Sequence, residues 1–283
     1  MFSRIESYIA QLQADPVNFL ITMAYTWGVI LFSLILHECA HGYVALKCGD
    51  PTAKMLGRLS LNPARHLDPL GTLCMFVLGF GWAKPVPVNP RNFRDFRRDD
   101  FFVSIAGITV NITIFIAAVL LSCVVNRFLW TQEMLDIMVE EFGEIDILLN
   151  PFYGWVLTFE GLDGSIGASS IMNYGHELIG SFGEFMQYPW LIWVQRVLLL
   201  LAQVNLTLAI FNLMPFPPLD GFHVVNDILL KGKLHLNYQL HQITRAALIV
   251  LLLTGALDTV LSFLVSNVYE AVLRIFMMLT GQM

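Results

Sequence analysis

From Pro16 to His37 the chain has no Asp, Glu, Lys or Arg. A helix needs about 20 apolar residues to cross the hydrocarbon core of a bilayer, so this run restricts the fold more than any other feature. A second charge-free run extends from Phe101 to Asn126. A third, Val197 to Leu219, is lengthened backward by Trp190–Trp193 and interrupted only by Arg196; a fourth apolar stretch covers about 242–263, with Asp258 near one end. The segment Leu67 to Ala83 is apolar but short and contains Gly71, Gly79 and Gly81, which suits a re-entrant loop or a fifth span. Charged residues make up 13% of the 283 positions, against about 25% in soluble domains. Mean hydropathy is +0.65. These values exclude a water-soluble globule, and the 56% hydrophobic content excludes a disordered chain. A net charge of −6 without a basic face argues against nucleic acid as a partner. The expectation is an all-α polytopic membrane protein of about four transmembrane helices, plus a re-entrant loop or short β element. Its first membrane half covers 1–130, an acidic extracytoplasmic loop 131–188, and a second half 189–283, ending in an interfacial tail over Val268–Leu279.

The four cysteines, Cys39, Cys48, Cys74 and Cys123, form no CxxC and read as reduced thiols. The first apolar run is too long for a signal peptide, lacks a small-residue cleavage site and ends in ionisable residues.

Positive charge gives the orientation. Residues 131–188 hold ten acidic residues and no Lys or Arg, which places them on the trans side. Lys84, Arg91, Arg94, Arg97 and Arg98 place 84–98 in the cytoplasm, as do Lys47, Lys54, Arg58 and Arg65 for the end of the first run. Both flanks of 67–83 are then cytoplasmic, which favours re-entry. Such a loop survives at membrane depth only beside protein or a water-filled cavity.

The first run ends in His37-Glu38-Cys39-Ala40-His41, an HExxH. On a helix, positions i and i+4 share a face, so the two imidazoles can meet one metal ion while Glu38 works on a water beside it. With seven His and ten Glu in 283 residues, composition alone gives such a pattern in about 0.6% of shuffled chains. An interfacial cluster at a helix end is the plainer reading. It is the weaker one, because ionisable groups at the end of an uncharged span are costly and usually functional.

A third ligand is required. The continuation with Gly and a third His is absent, since Val44 and Lys47 stand there. No Glu occurs between His41 and Glu133. Asp50, Asp68, Asp95, Asp99 and Asp100 fall in basic loops and read as surface pairing. Asp220 follows Pro215, Pro217 and Pro218 at the inner end of the third run. These prolines interrupt the helix and let the carboxylate point sideways. Capping of the segment that follows is the alternative role for Asp220.

HExxH on one span, with Asn212-Leu-Met-Pro-Phe-Pro-Pro-Leu-Asp220-Gly221 on a later one, resembles the site-2 protease family of intramembrane zinc metalloproteases. Ser60–Pro63, His66–Thr72, Gly81–Pro90 and Ala106-Gly107 to Asn111 match further, so the resemblance covers about 20–230. It implies one zinc per chain held by His37, His41 and Asp220, with Glu38 as catalytic acid and base and Asn212 helping to hold substrate. It also implies hydrolysis of transmembrane protein substrates in or near the bilayer. Ile108 replaces the usual Pro, and Phe222-His223 replace a smaller residue after Asp-Gly. No PDZ-like domain fits 131–188 and no nucleotide-sensing domain follows the last span, which leaves the zinc ligands untouched and the mode of regulation open.

Trp82 to Pro90 reads as an extended segment whose prolines suit a sheet edge. Its Val86 and Val88 can hold an unwound substrate by β-augmentation, or the segment can be a plain connection. Asn111 can line the cleft or bond between helices. His66 reads as a structural hydrogen-bonder. His223, His235 and His241 read as solvated, and Arg196 as snorkelling to the outer interface. The aromatic residues of the acidic loop suggest contact with the outer surface and a filter on bulky substrates. Two other readings compete. A non-catalytic scaffold or chaperone has no reason to keep His37, Glu38, His41 and Asp220 together. A metal transporter would spread ionisable residues through several spans.

Overall fold

The computed structural model describes residues 8–10, 12–13, 15–78, 82–133, 183–229 and 237–280. The readings of His235 and the body of the acidic loop fall outside them. Among the described residues the structure is helical, with no sheet. In chain order the helices are α1 (Pro16–Cys48), α2 (Thr52–Met55), α3 (Pro69–Leu78), α4 (Phe96–Leu129), α5 (Leu191–Leu213), α6 (Asp220–Ile228), α7 (Tyr238–Thr254) and α8 (Ala256–Thr280).

Three stretches are long and apolar enough to cross a membrane: Phe19–Cys48, Phe96–Ser122 and Leu191–Leu213. They correspond to the first three runs. On α4, Ile112, Ile116 and Leu120 are 39–42% exposed, whereas Asn111, Phe115, Val119 and Ser122 are at most 2% exposed. Apolar side chains face outward and the polar Asn111 and Ser122 inward, the arrangement a lipid solvent selects.

The fourth run is not one helix. Gly255 adopts φ 73° and its N–H bonds Leu252 O, which closes α7. A glycine in the left-handed region is a common helix stop. The apolar stretches on either side, Gln242–Leu252 and Thr259–Tyr269, are short, each roughly 16 Å of helix. The expected interfacial tail is therefore not a separate element but the continuation of α8.

α3 is ten residues, about 15 Å of helix. Its flanks meet: Leu67 and Ala83 form an isolated antiparallel bridge, and Lys84 N–H donates to His66 O at 2.7 Å. Among the described residues the expected β element is reduced to this bridge, and 84–89 run on as extended chain with no ladder partner there.

The contacts divide the chain into two compact units. One contains Met1–Ala10, Ile30–Thr113 and Val204–Val265; the other contains Gln11–Val29, Ile114–Gln203 and Ser266–Met283. Within the first, buried Asn205 on α5 donates to Ser33 on α1 at 2.8 Å, one turn before His37. That bond ties the helix leading to Asp220 to the helix carrying HExxH.

Within the second, the ends of the acidic loop are joined by a Trp130–Met186 bridge, with Thr131 N–H on Phe185 O and Gln187 N–H on Leu129 O. Arg196 does not snorkel. It is 0% exposed and donates to Thr22 Oγ1. Its guanidinium lies 5.3 Å from the Tyr25 ring centre and 5.8 Å from that of Trp193. Two aromatic faces and a hydroxyl hold this cation inside.

Candidate metal centre

HExxH lies on unbroken α1, so His37 and His41 stack one turn apart with ring centres 4.6 Å apart and edge to face. Their Nε2 atoms are 3.0 Å apart. The third corner comes from the proline break. α5 ends at Leu213 and helix resumes at Asp220, whose N-cap is Leu219. Asp220 is thus not the cap; its Oδ2 lies 3.2 Å from His37 Nε2 and 3.3 Å from His41 Nε2.

This triangle fits a tetrahedral divalent ion. Ligands about 2.0–2.1 Å from zinc stand about 3.3–3.4 Å from one another, close to the 3.0–3.3 Å found here. The donor chemistry agrees. His41 Nδ1 lies 2.7 Å from Val103 O, and a carbonyl only accepts, so the ring proton sits on Nδ1. The Nε2 lone pair then faces a carboxylate oxygen. Only added protons or a cation relieve that convergence.

α4 forms one wall. A Cβ on Gly107 would lie 2.6 Å from His41 Nε2 and 2.7 Å from His37 Nδ1, so only glycine leaves room for both rings. Asn111, one turn on and 0% exposed, places Nδ2 3.1 Å from His37 Nδ1. Sequence reasoning missed Gly107 as a site residue. A lone glycine inside an uncharged span was the available signal, since it costs helix stability unless close packing requires it.

Glu38 is outside the triangle. Its Oε2 accepts the backbone N–H of Val86 at 2.7 Å. Gly42, one turn further on, lets buried Val86 approach α1: a Cβ there would lie 2.6 Å from Leu59 Cδ2 and 2.8 Å from Val86 Cγ1. The extended segment is fixed at other points too. Arg58 Nη2 donates to Lys84 O and Pro85 O at 2.8 and 3.2 Å. Asp50 accepts Asn89 N–H and Asn92 Nδ2, both at 2.7 Å. Val88 is half-buried, and among the described residues its backbone makes no hydrogen bond.

Two aspartates read as surface groups are interior. Asp50 is 0% and Asp99 1% exposed. Burial works against the Asp50 carboxylate, but donors from Asn89, Thr52 and Asn92 hold its carboxyl below the usual range. Asp99 Oδ2 accepts the N–H groups of Arg94 and Asp95, both at 3.0 Å, before α4. Backbone and side-chain donors, not solvent, satisfy both. His223 is likewise not simply solvated: its Nδ1 lies 3.1 Å from Asp100 Oδ2. That hydrogen bond raises its pKa despite burial. Asp227 is pushed up to about 6 by burial and by the Asp100 charge. His66 Nε2 contacts Ser60 O at 2.6 Å and is not part of the metal-ligand group. Asn212 Nδ2 bonds Leu208 O at 3.0 Å, back along its own helix.

Comparison with known proteins agrees with the geometry. The family model "Peptidase family M50" matches residues 25–255. Over 211 residues the chain is 35% identical to the protein named "Putative zinc metalloprotease YwhC" of Bacillus subtilis (strain 168), covering 74% of this chain and 71% of that one. No solved structure matches.

Proposed function

The chain belongs to peptidase family M50, the site-2 proteases, and on that premise we propose that it is an intramembrane zinc endopeptidase that cuts transmembrane segments of other membrane proteins. The observation that carries this reading is the meeting of His37 Nε2, His41 Nε2 and Asp220 Oδ2 from α1 and α6, with Glu38 beside them on α1. The three ligands would hold one zinc ion. Bound there, zinc supplies a Lewis acid that polarises a peptide carbonyl and lowers the pKa of water toward about 7.

The protein's own residues do the rest. Val86 N–H fixes Glu38 Oε2, which leaves Oε1 to take the proton of an attacking water. As the C–O bond forms and the C–N bond breaks, Glu38 delivers that proton to the departing amine nitrogen. The substrate must be unwound first, because in a helix the scissile carbonyl is hydrogen-bonded and shielded. The segment 84–89 suits that task. It is extended, bolted down through Arg58 and Asp50, and has an unpaired backbone at Val88. A substrate strand placed beside it would recover hydrogen bonds lost on unwinding. Val88→Pro is expected to lower cleavage about tenfold with zinc retained. Unchanged turnover in a proteoliposome assay would refute the strand-edge role.

Basic residues around the ends of α1 and α4 support a centre near the cytoplasmic face, with 67–83 re-entering from that side. The function is tested on the purified full chain in proteoliposomes. One zinc per chain is expected, with cleavage of a transmembrane peptide that a chelator abolishes and added zinc restores. In the same vesicles an impermeant thiol reagent should reach Lys54→Cys and Arg94→Cys from one face only. Cleavage that survives full zinc removal would sink the metallopeptidase reading; labelling from opposite faces would sink the topology.

A further inference from the structure

We propose that Asn111 is a positioning residue for the metal centre. Its side-chain oxygen accepts the Nδ1–H of His37 and so fixes the tautomer that turns the Nε2 lone pair toward the ion. The proposal rests on the metal-centre reading above and adds to it an outer shell supplied by a single helix face.

Val103, Gly107 and Asn111 are spaced one turn apart on α4 and so share a face. Each meets the imidazole pair. Val103 O lies 2.7 Å from His41 Nδ1, Asn111 lies 3.1 Å from His37 Nδ1, and Gly107 leaves the space between. At His41 the chemistry admits one arrangement, because a backbone carbonyl cannot donate.

At His37 the same logic applies from the other side. Its Nε2 is the atom that converges on His41 Nε2 and Asp220 Oδ2. A neutral imidazole that offers Nε2 to a cation carries its hydrogen on Nδ1. The partner of Nδ1 must then be an acceptor. As placed, Asn111 turns Nδ2 toward the ring, and its Oδ1 is buried with no hydrogen-bond partner. A 180° rotation of the amide exchanges the two atoms without moving the rest of the side chain. It removes a donor–donor clash and gives the orphaned oxygen a partner, with the NH2 group then standing where the oxygen had been.

A plain hydrogen bond between two membrane helices would also bury an asparagine here, and the two roles separate experimentally. Zinc affinity of the purified full chain is measured by competition with a chelator, and the thermal melt is recorded on the zinc-free form. Asn111→Leu keeps the shape and loses the acceptor; zinc binding is expected to weaken about 10- to 100-fold, with the zinc-free melt nearly unchanged. Asn111→Asp keeps the acceptor, and its affinity is expected to equal or exceed that of the wild type. Asn111→Ala, which also lacks the acceptor, is expected to match the leucine variant and serves if that variant does not fold. Wild-type affinity in the folded Leu or Ala variant overturns the proposal. So does an aspartate variant as weak as the leucine one, because a helix bond alone predicts loss with either. If the wild type itself binds no zinc, the metal-centre reading has failed first, which is a distinct result.

Discussion

Glu38→Gln is expected to lower peptide hydrolysis by about 10²- to 10⁴-fold, the usual contribution of a general acid–base group, while the chain still binds one zinc. The amide has the size of the carboxylate, and its oxygen can still accept Val86 N–H, so the extended segment keeps its anchor. What it cannot do is take a proton from water. Glu38 is not one of the three converging ligands, so zinc content should not change. Zinc analysis and proteoliposome cleavage, measured on the same preparations, separate the possibilities. Equal cleavage by both proteins would leave Glu38 without a chemical role and favour a scaffold. Loss of zinc along with activity would move Glu38 from acid–base chemistry to coordination.

Much of this site could be read from one-dimensional spacing, because its parts obey strong local rules. Three residues between two histidines on a helix fix their common face, and three prolines before Asp220 end a helix wherever they occur. The three long spans were legible for the same reason: the absence of charge over a bilayer's thickness is a signal that needs no tertiary information. Gly255 escaped notice because it sits inside an apolar run, where hydropathy averages over the residue that breaks the helix.

The outer shell was harder to see. Val103 acts through a backbone carbonyl, which leaves no mark in the side-chain sequence, and Asn111 meets His37 across 74 positions. Charge misled in the loops. Asp50 and Asp99 stand among arginines and lysines and read as solvated, yet distant asparagine donors for the first and neighbouring backbone donors for the second draw both inside. Arg196 misled in the opposite way. Its cation is enclosed by aromatic faces and a hydroxyl and does not reach the headgroups that snorkelling requires.

Gly107→Ala sets two effects of opposite sign against each other. Alanine is the better helix former by about 0.8–1.0 kcal/mol, so the change should stabilise α4 if nothing opposed it. Against this, the new methyl would lie 2.6 Å from His41 Nε2 and 2.7 Å from His37 Nδ1, closer than nonbonded atoms tolerate. Overpacking of this kind costs about 1–3 kcal/mol, which is roughly 5- to 150-fold in a binding constant. The rings cannot rotate away cheaply: His41 would lose Val103 O and His37 would lose Asn111. The cost should therefore fall on zinc binding, and cleavage at limiting zinc should fall with it. Gly28 supplies the control. It lies on α1, and a Cβ there meets nothing within 4 Å, so Gly28→Ala should keep wild-type zinc affinity and cleavage. If Gly107→Ala binds zinc as tightly as Gly28→Ala, the imidazole pair does not need the space that glycine leaves, and α4 is not a wall of the centre.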